Sequence, residues 1–148
     1  MELLELPGWQ ILYDHKATVA AHAKIPTGGA ESCGCDPCRN WAVSRVRIIP
    51  GEFRELLELL GIPLDREREV YHNCRLGSGL HSYAGWYHFI GQVLTGEHED
   101  TAIVAFGRFS VFFHSSPALL PQAFDGTAVV QLEFEAEVPC LSQIAEPT

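Results

Sequence analysis

The sequence predicts an α+β fold: a mainly antiparallel, sandwich-like sheet with two helices inserted after the first hairpin. Three patterns predict it. Along residues 128–138, Ala128, Val130, Leu132, Phe134, Ala136 and Val138 alternate with Val129, Gln131, Glu133, Glu135 and Glu137. That is the period of a strand with one core face and one wet face. Phe53, Leu56, Leu57 and Leu60 fall at i, i+3, i+4 and i+7, which makes one buried helical stripe. Residues 69–76 and 81–94 flank Gly77-Ser78-Gly79, as the arms of a hairpin flank a turn.

Taken in order, residues 9–13 and 18–25 read as strands, joined by "DHKA". In the second, Val19, Ala21 and Ala23 alternate with Ala20, His22 and Lys24. "PTGGAES" is a loop by its Pro, Gly and Ser content. Asp36 can then cap a helix with Pro37 at its first position, running to about Val46. The helix carrying the Phe53–Leu60 stripe ends at Gly61, and Pro63 prevents its continuation. Residues 102–114 hold "IVAF" and "FSVFF" on either side of Gly107-Arg108, two further short strands. No internal repeat or low-complexity segment interrupts the pattern.

A chain of 148 residues is the length of a single domain spanning 1–148. Its 47% hydrophobic and 20% charged residues are those of a globular protein. The net charge of −9 argues against nucleic acid or an anionic membrane as partner, since both are held by Lys and Arg. Of the ten basic residues eight are arginine, and they are scattered. The start, "MELLELPGWQ", lacks the basic region of a signal peptide, and no apolar run approaches membrane-spanning length. A cytoplasmic location follows as the expectation, with reduced thiols and a small molecule or a protein as the open partner classes. Five cysteines, an odd number, also argue against a disulfide framework.

The segment "ESCGCDPCRNW" places Cys33, Cys35 and Cys38 within six residues. Zinc takes thiolate and imidazole ligands in tetrahedral geometry, and a Cys-x-x-Cys turn supplies two from one loop. A fourth ligand would come from Cys74, His22, His72 or His88; Cys74 and His22 complete the candidate set. Zinc is the one cofactor the sequence suggests. A redox reading rests on Cys35 lying just before a helix, whose N-terminal field lowers a thiol pKa, but the motif follows a Gly/Ser loop instead of a buried strand. The default reading is three reduced cysteines packed as small apolar residues.

"CDPCRNW", "FRELLELLGIPLDREREVY" and "GLHSYAGWYHFIGQVL" together resemble a family of uncharacterised bacterial proteins. Its pattern is a Cys-x-x-Cys-Arg/Lys-Asn start, a Leu-Gly-Ile helix end and a Gly-Trp-Tyr-His-Phe strand. The resemblance covers residues 35–94 and, more loosely, 131–140, and it implies one intact domain without implying a chemistry. "SCGCDPCR" is in addition similar to a segment of the glutathione-dependent formaldehyde-activating enzymes, β-rich proteins that bind zinc through several cysteines. That similarity implies a carbon–sulfur lyase and spans about eight residues. The chain lacks that family's upstream Cys-x-Cys and downstream Cys-x-x-Cys, where His15 or His22 would have to substitute.

Other candidate chemistry is sparse. His72, His81, His88 and His114 lie in the β-rich half, but no His-x-His pair marks a metal site. Tyr83, Trp86, Tyr87 and Phe89 read as core, with Trp86, Tyr87 and His88 as the candidate ligand-binding group if a cleft opens there. Gly85 and Gly91 allow close backbone approach beside them. "GEHED" reads as a solvated turn, and Glu133, Glu135 and Glu137 as charges that guard a sheet edge. Neither a phosphate-binding glycine loop nor a Gly-x-Ser-x-Gly elbow occurs. The reading is a non-catalytic binding or interaction module with a cysteine cluster and a candidate structural zinc. The rival is a small metal- or thiol-dependent enzyme using Cys33, Cys35 and Cys38 beside an aromatic pocket.

Overall fold

A computed structural model describes residues 1–97 and 102–141. The chain opens with a hairpin, β1 (Glu2–Leu6) and β2 (Trp9–Tyr13), whose turn needs the left-handed φ of 83° at Gly8. β1 has no counterpart in the sequence reading; of its leucines Leu4 is buried, Leu6 half-buried and Leu3 exposed.

The segment expected as a second strand is a helix, α1 (His15–His22). Asp14 explains the difference: its carboxylate accepts a hydrogen bond from the Ala17 N–H at 2.9 Å, an N-cap that starts a helix where a turn was expected. Alanines at 17, 20 and 21 sustain it. The apparent alternation came from small residues that fit a helix equally well. Thr18, Ala21 and His22, at i, i+3 and i+4, form the buried side.

Part of the expected loop is also helical, α2 (Gly29–Cys33), closed by Gly34 at φ 66°. α3 (Asp36–Ile48) starts one residue earlier in role than expected: Cys35, not Asp36, holds the N-cap position, and Pro37 lies in the first turn. α4 (Gly51–Leu60) buries Phe53, Leu56, Leu57 and Leu60 as the spacing predicts. Gly61 closes it at φ 84°, with Ile62 N–H donating to the Leu57 carbonyl at 2.9 Å. Among the described residues four helices therefore stand where two were expected, all after the first hairpin.

The strands β3 (Glu69–Arg75), β4 (His81–Thr95), β5 (Val104–Phe106), β6 (Phe109–His114) and β7 (Val129–Val138) follow the predicted pattern. All pairings are antiparallel, in the order β1-β2-β4-β7-β6-β5, with β3 on the first half of β4. The α+β antiparallel class holds, but the seven strands form one open sheet and not two facing layers. That sheet curls: Trp9 of β2 meets Phe113 of β6 at 5.1 Å and donates its indole N–H to the Ala102 carbonyl at 2.6 Å. β7 lies between β4 and β6, so Glu133, Glu135 and Glu137 sit inside the sheet and guard no edge. Of "GEHED", residues 98–100 lie outside the described residues.

Helices α3 and α4 cover one face. Trp41 stacks on Phe134 at 5.1 Å, and Phe53 meets Phe109 edge-on at 5.3 Å. Such buried rings supply the largest apolar areas in a core. Because side chains alternate along a strand, Ile90 and Val129 point the other way, where Ala21 of α1 and Phe124 join them in a second, smaller cluster.

Candidate metal centre and adjoining cavity

Cys33 ends α2, Gly34 turns the chain, Cys35 caps α3, and Cys38 lies in that helix's first turn. The geometry of two helix ends meeting at one glycine brings the three thiols together. Their sulfur atoms all lie within 4.8 Å of one another, Cys33 and Cys35 exposed and Cys38 buried. Thiolates around one tetrahedral ion at 2.3 Å are about 3.8 Å apart, so the group is within metal-binding distance.

The electrostatics are graded. The Cys35 backbone N–H and the Cys35 and Cys38 thiols act on Cys33 as hydrogen-bond donors and hold its pKa below the usual thiol value. Burial, and then the two neighbouring sulfurs, push the Cys38 thiol up. An anionic sulfur at Cys33 is therefore solvated by its own loop, whereas ionising Cys38 calls for a cation.

Neither of the other two expected ligands joins the group. His22 is buried on α1 and its Nε2 lies 2.8 Å from the His88 carbonyl. Cys74 is exposed on β3, beyond a register slip between His72 and Cys74 that re-aims the strand. His72 instead meets His81, Nε2 to Nδ1 at 2.9 Å. Cys140 was not considered from the sequence, where it ends a strand. Asn40 of α3 holds both its flanks, with Nδ2 donating to the Pro139 carbonyl at 3.0 Å and Oδ1 accepting from Leu141 N–H at 2.8 Å.

Of the expected ligand-binding group, His88 lines a cavity that Trp86 and Tyr87 do not. Tyr87 is buried with its hydroxyl donating to the Leu64 carbonyl at 2.8 Å; Trp86, its neighbour on the strand, faces the other side of the sheet, edge-on to Tyr71. The cavity measures about 420 Å³ and opens between α2, the segment before β3 and the turn around Phe124. His22, Cys33, Arg68 and Glu69 share its wall with His88. Cys33 thus belongs to both the thiol cluster and the cavity.

At the wall of the cavity, which Glu67 lines, is a buried ion network that has no mark in the sequence. Arg45 of α3 pairs with Glu67 at 2.9 Å and also with Glu31 of α2. Glu67 is 1% exposed, and burial raises its pKa to about 7 against the pull of Arg45. The network ties α2 and α3 to the chain entering β3.

No family model, no curated protein and no solved structure matches this chain.

Proposed function

We propose that this protein is a non-catalytic binding module whose segment 33–38 holds a zinc ion in a structural role. The observation that carries the reading is the approach of three sulfurs to within 4.8 Å at the junction of α2 and α3. A thiolate-only donor set favours zinc over the hard, oxygen-seeking cations. Bound there, the ion would neutralise Cys38 and fasten the short helix α2 to the N-terminus of α3. Its fourth ligand lies outside the three cysteines.

One observation favours a second reading. Cys33 lines the cavity together with His88, and a zinc with three protein ligands and an open position is the arrangement of a catalytic site. A small metal- or thiol-dependent enzyme would use that opening.

Chelation separates the two. Thermal unfolding is followed with and without an excess of a strong zinc chelator under reducing conditions. The structural reading expects a clear fall in Tm and loss of α2 amide protection. A catalytic ion would leave with the fold and its Tm intact, and that result would overturn the structural role.

A further inference from the structure

The three thiols of the cluster are not equivalent. Cys33 and Cys35 are open to solvent, whereas Cys38 is buried in the core. Gly34 alone separates the exposed pair. It adopts the left-handed φ of 66°, and a Cβ built on it would meet nothing within 4 Å. Its backbone torsions can therefore change without displacing a neighbour. The sulfurs already lie within 4.8 Å of one another, and a disulfide needs them at about 2.05 Å.

We infer that Cys33 and Cys35 form a peroxide-sensitive switch on the proposed zinc site, closing to a disulfide that releases the ion. The release rests on the zinc reading; the pairing rests on the thiols alone. Hydrogen peroxide is the oxidant. The Cys33 sulfur attacks one peroxide oxygen, the O–O bond breaks and hydroxide leaves, so that Cys33 becomes a sulfenic acid. The Cys35 sulfur then attacks the Cys33 sulfur: the S–S bond forms, the S–O bond breaks and a second hydroxide leaves. Two protons turn both hydroxides into water. The pair gives up two electrons and the peroxide accepts them. A small dithiol reverses the change by two exchange steps and leaves as its own disulfide.

Cys38 alone is then left to hold the ion, one ligand where a structural zinc has four. The start of α2 stays tied, because Gly29 N–H donates to the Glu67 carbonyl at 2.8 Å and Glu31 pairs with Arg45. The closing ring disturbs the other end of the helix. There Ser32 N–H donates to the Gly28 carbonyl and Gly34 N–H to the Ala30 carbonyl, both at 3.1 Å. Ser32 and Cys33 line the cavity, so oxidation reshapes its wall.

The test uses the full, reduced chain, loaded with one equivalent of zinc and freed of reductant. A chromophoric zinc indicator follows release when hydrogen peroxide is added. Free thiols are then blocked by alkylation, and tandem mass spectrometry locates any disulfide. The expected result is release of the ion together with a mass loss of two hydrogens, mapped to Cys33–Cys35. A dithiol and fresh zinc should restore the starting state. Hydrogen exchange at the Ser32 and Gly34 amides should rise about tenfold on oxidation while β4 is unchanged. Cys74→Ser combined with Cys140→Ser should leave the release as it is. Zinc that stays bound, a disulfide through Cys38, Cys74 or Cys140, or irreversible sulfinic acid at Cys33 would each overturn the switch. A chain that takes up no zinc before peroxide is added overturns the zinc reading instead, and the mapped disulfide then decides the pairing.

Discussion

Asn40 grips the chain on both sides of Cys140: its amide reaches the Pro139 carbonyl at 3.0 Å and the Leu141 N–H at 2.8 Å. A fully buried asparagine in α3 thereby fixes the segment that follows β7. The contact spans 99 to 101 residues of sequence. Asn40→Ala removes both partners, and it should cost about 2 kcal/mol in urea unfolding. Hydrogen exchange at the Leu141 amide should accelerate well beyond the global effect; an unchanged rate would show that something else holds the segment.

The buried pair of Arg45 and Glu67 should respond asymmetrically. Arg45→Met strands a carboxyl that is 1% exposed, and breaking such a pair costs about 3–5 kcal/mol. Removing both charges, as Arg45→Met with Glu67→Leu, should cost less than Arg45→Met alone. Urea denaturation of the parent and the two variants measures this, and a double variant no more stable than Arg45→Met would contradict it.

Stability should depend on pH in a direction set by His88 and His22. Burial holds the His88 pKa near 4, and lowers that of His22. The unfolded chain binds these protons first, so the stability they contribute is present above pH 6.5 and is lost as pH falls toward 4. For His88 the full effect is about 3 kcal/mol. Glu67 opposes it, because a carboxyl raised to about 7 contributes stability below pH 4.5 that is lost as pH rises to 7. His88→Gln should therefore flatten the acid loss between pH 7 and 5, and Glu67→Gln should steepen it. Urea midpoints at the two pH values report both slopes.

Two glycines mark where β4 meets its neighbours too closely for a side chain. A Cβ on Gly85 would lie 2.3 Å from the Glu69 carbonyl oxygen, and one on Gly91 would lie 2.2 Å from that of Leu12. Gly85→Ala and Gly91→Ala must separate strands, at a cost of about 1–3 kcal/mol or more. Gly77→Ala, which meets nothing within 4 Å, should stay within about 0.5 kcal/mol of the parent. Thermal unfolding of the three variants checks the order.

What the sequence made legible follows from physics that is local. The α4 stripe, its Gly61 stop, the β3–β4 hairpin and the β7 alternation each depend on residues within one element. The close approach at Gly85 and Gly91 was legible too, as the lack of a side chain. α1 was misread because Ala and His carry little periodic signal, so one capping carboxylate at Asp14 decided its structure. The Cys33–Cys38 cluster was visible since six residues keep thiols close in any backbone. The cavity was not, because His22, Arg68 and His88 come from separate elements and only the sheet brings them together. The Arg45–Glu67 pair was not legible for the same reason: pairing across 22 residues has no sequence mark. Trp86 and Tyr87 read as core, with a pocket wall as the alternative; alternation along β4 sends one to each face and puts Tyr87 in the core.

The central claim is that Cys33, Cys35 and Cys38 hold a metal, and elemental mass spectrometry tests it most directly. The protein is purified untagged, without chelator and under reducing conditions, and its native thiols are titrated in parallel. One zinc per chain is expected, with these three cysteines protected until the metal is removed. Less than a tenth of an equivalent of any metal, with Cys33 and Cys35 reacting as free thiols, would contradict it.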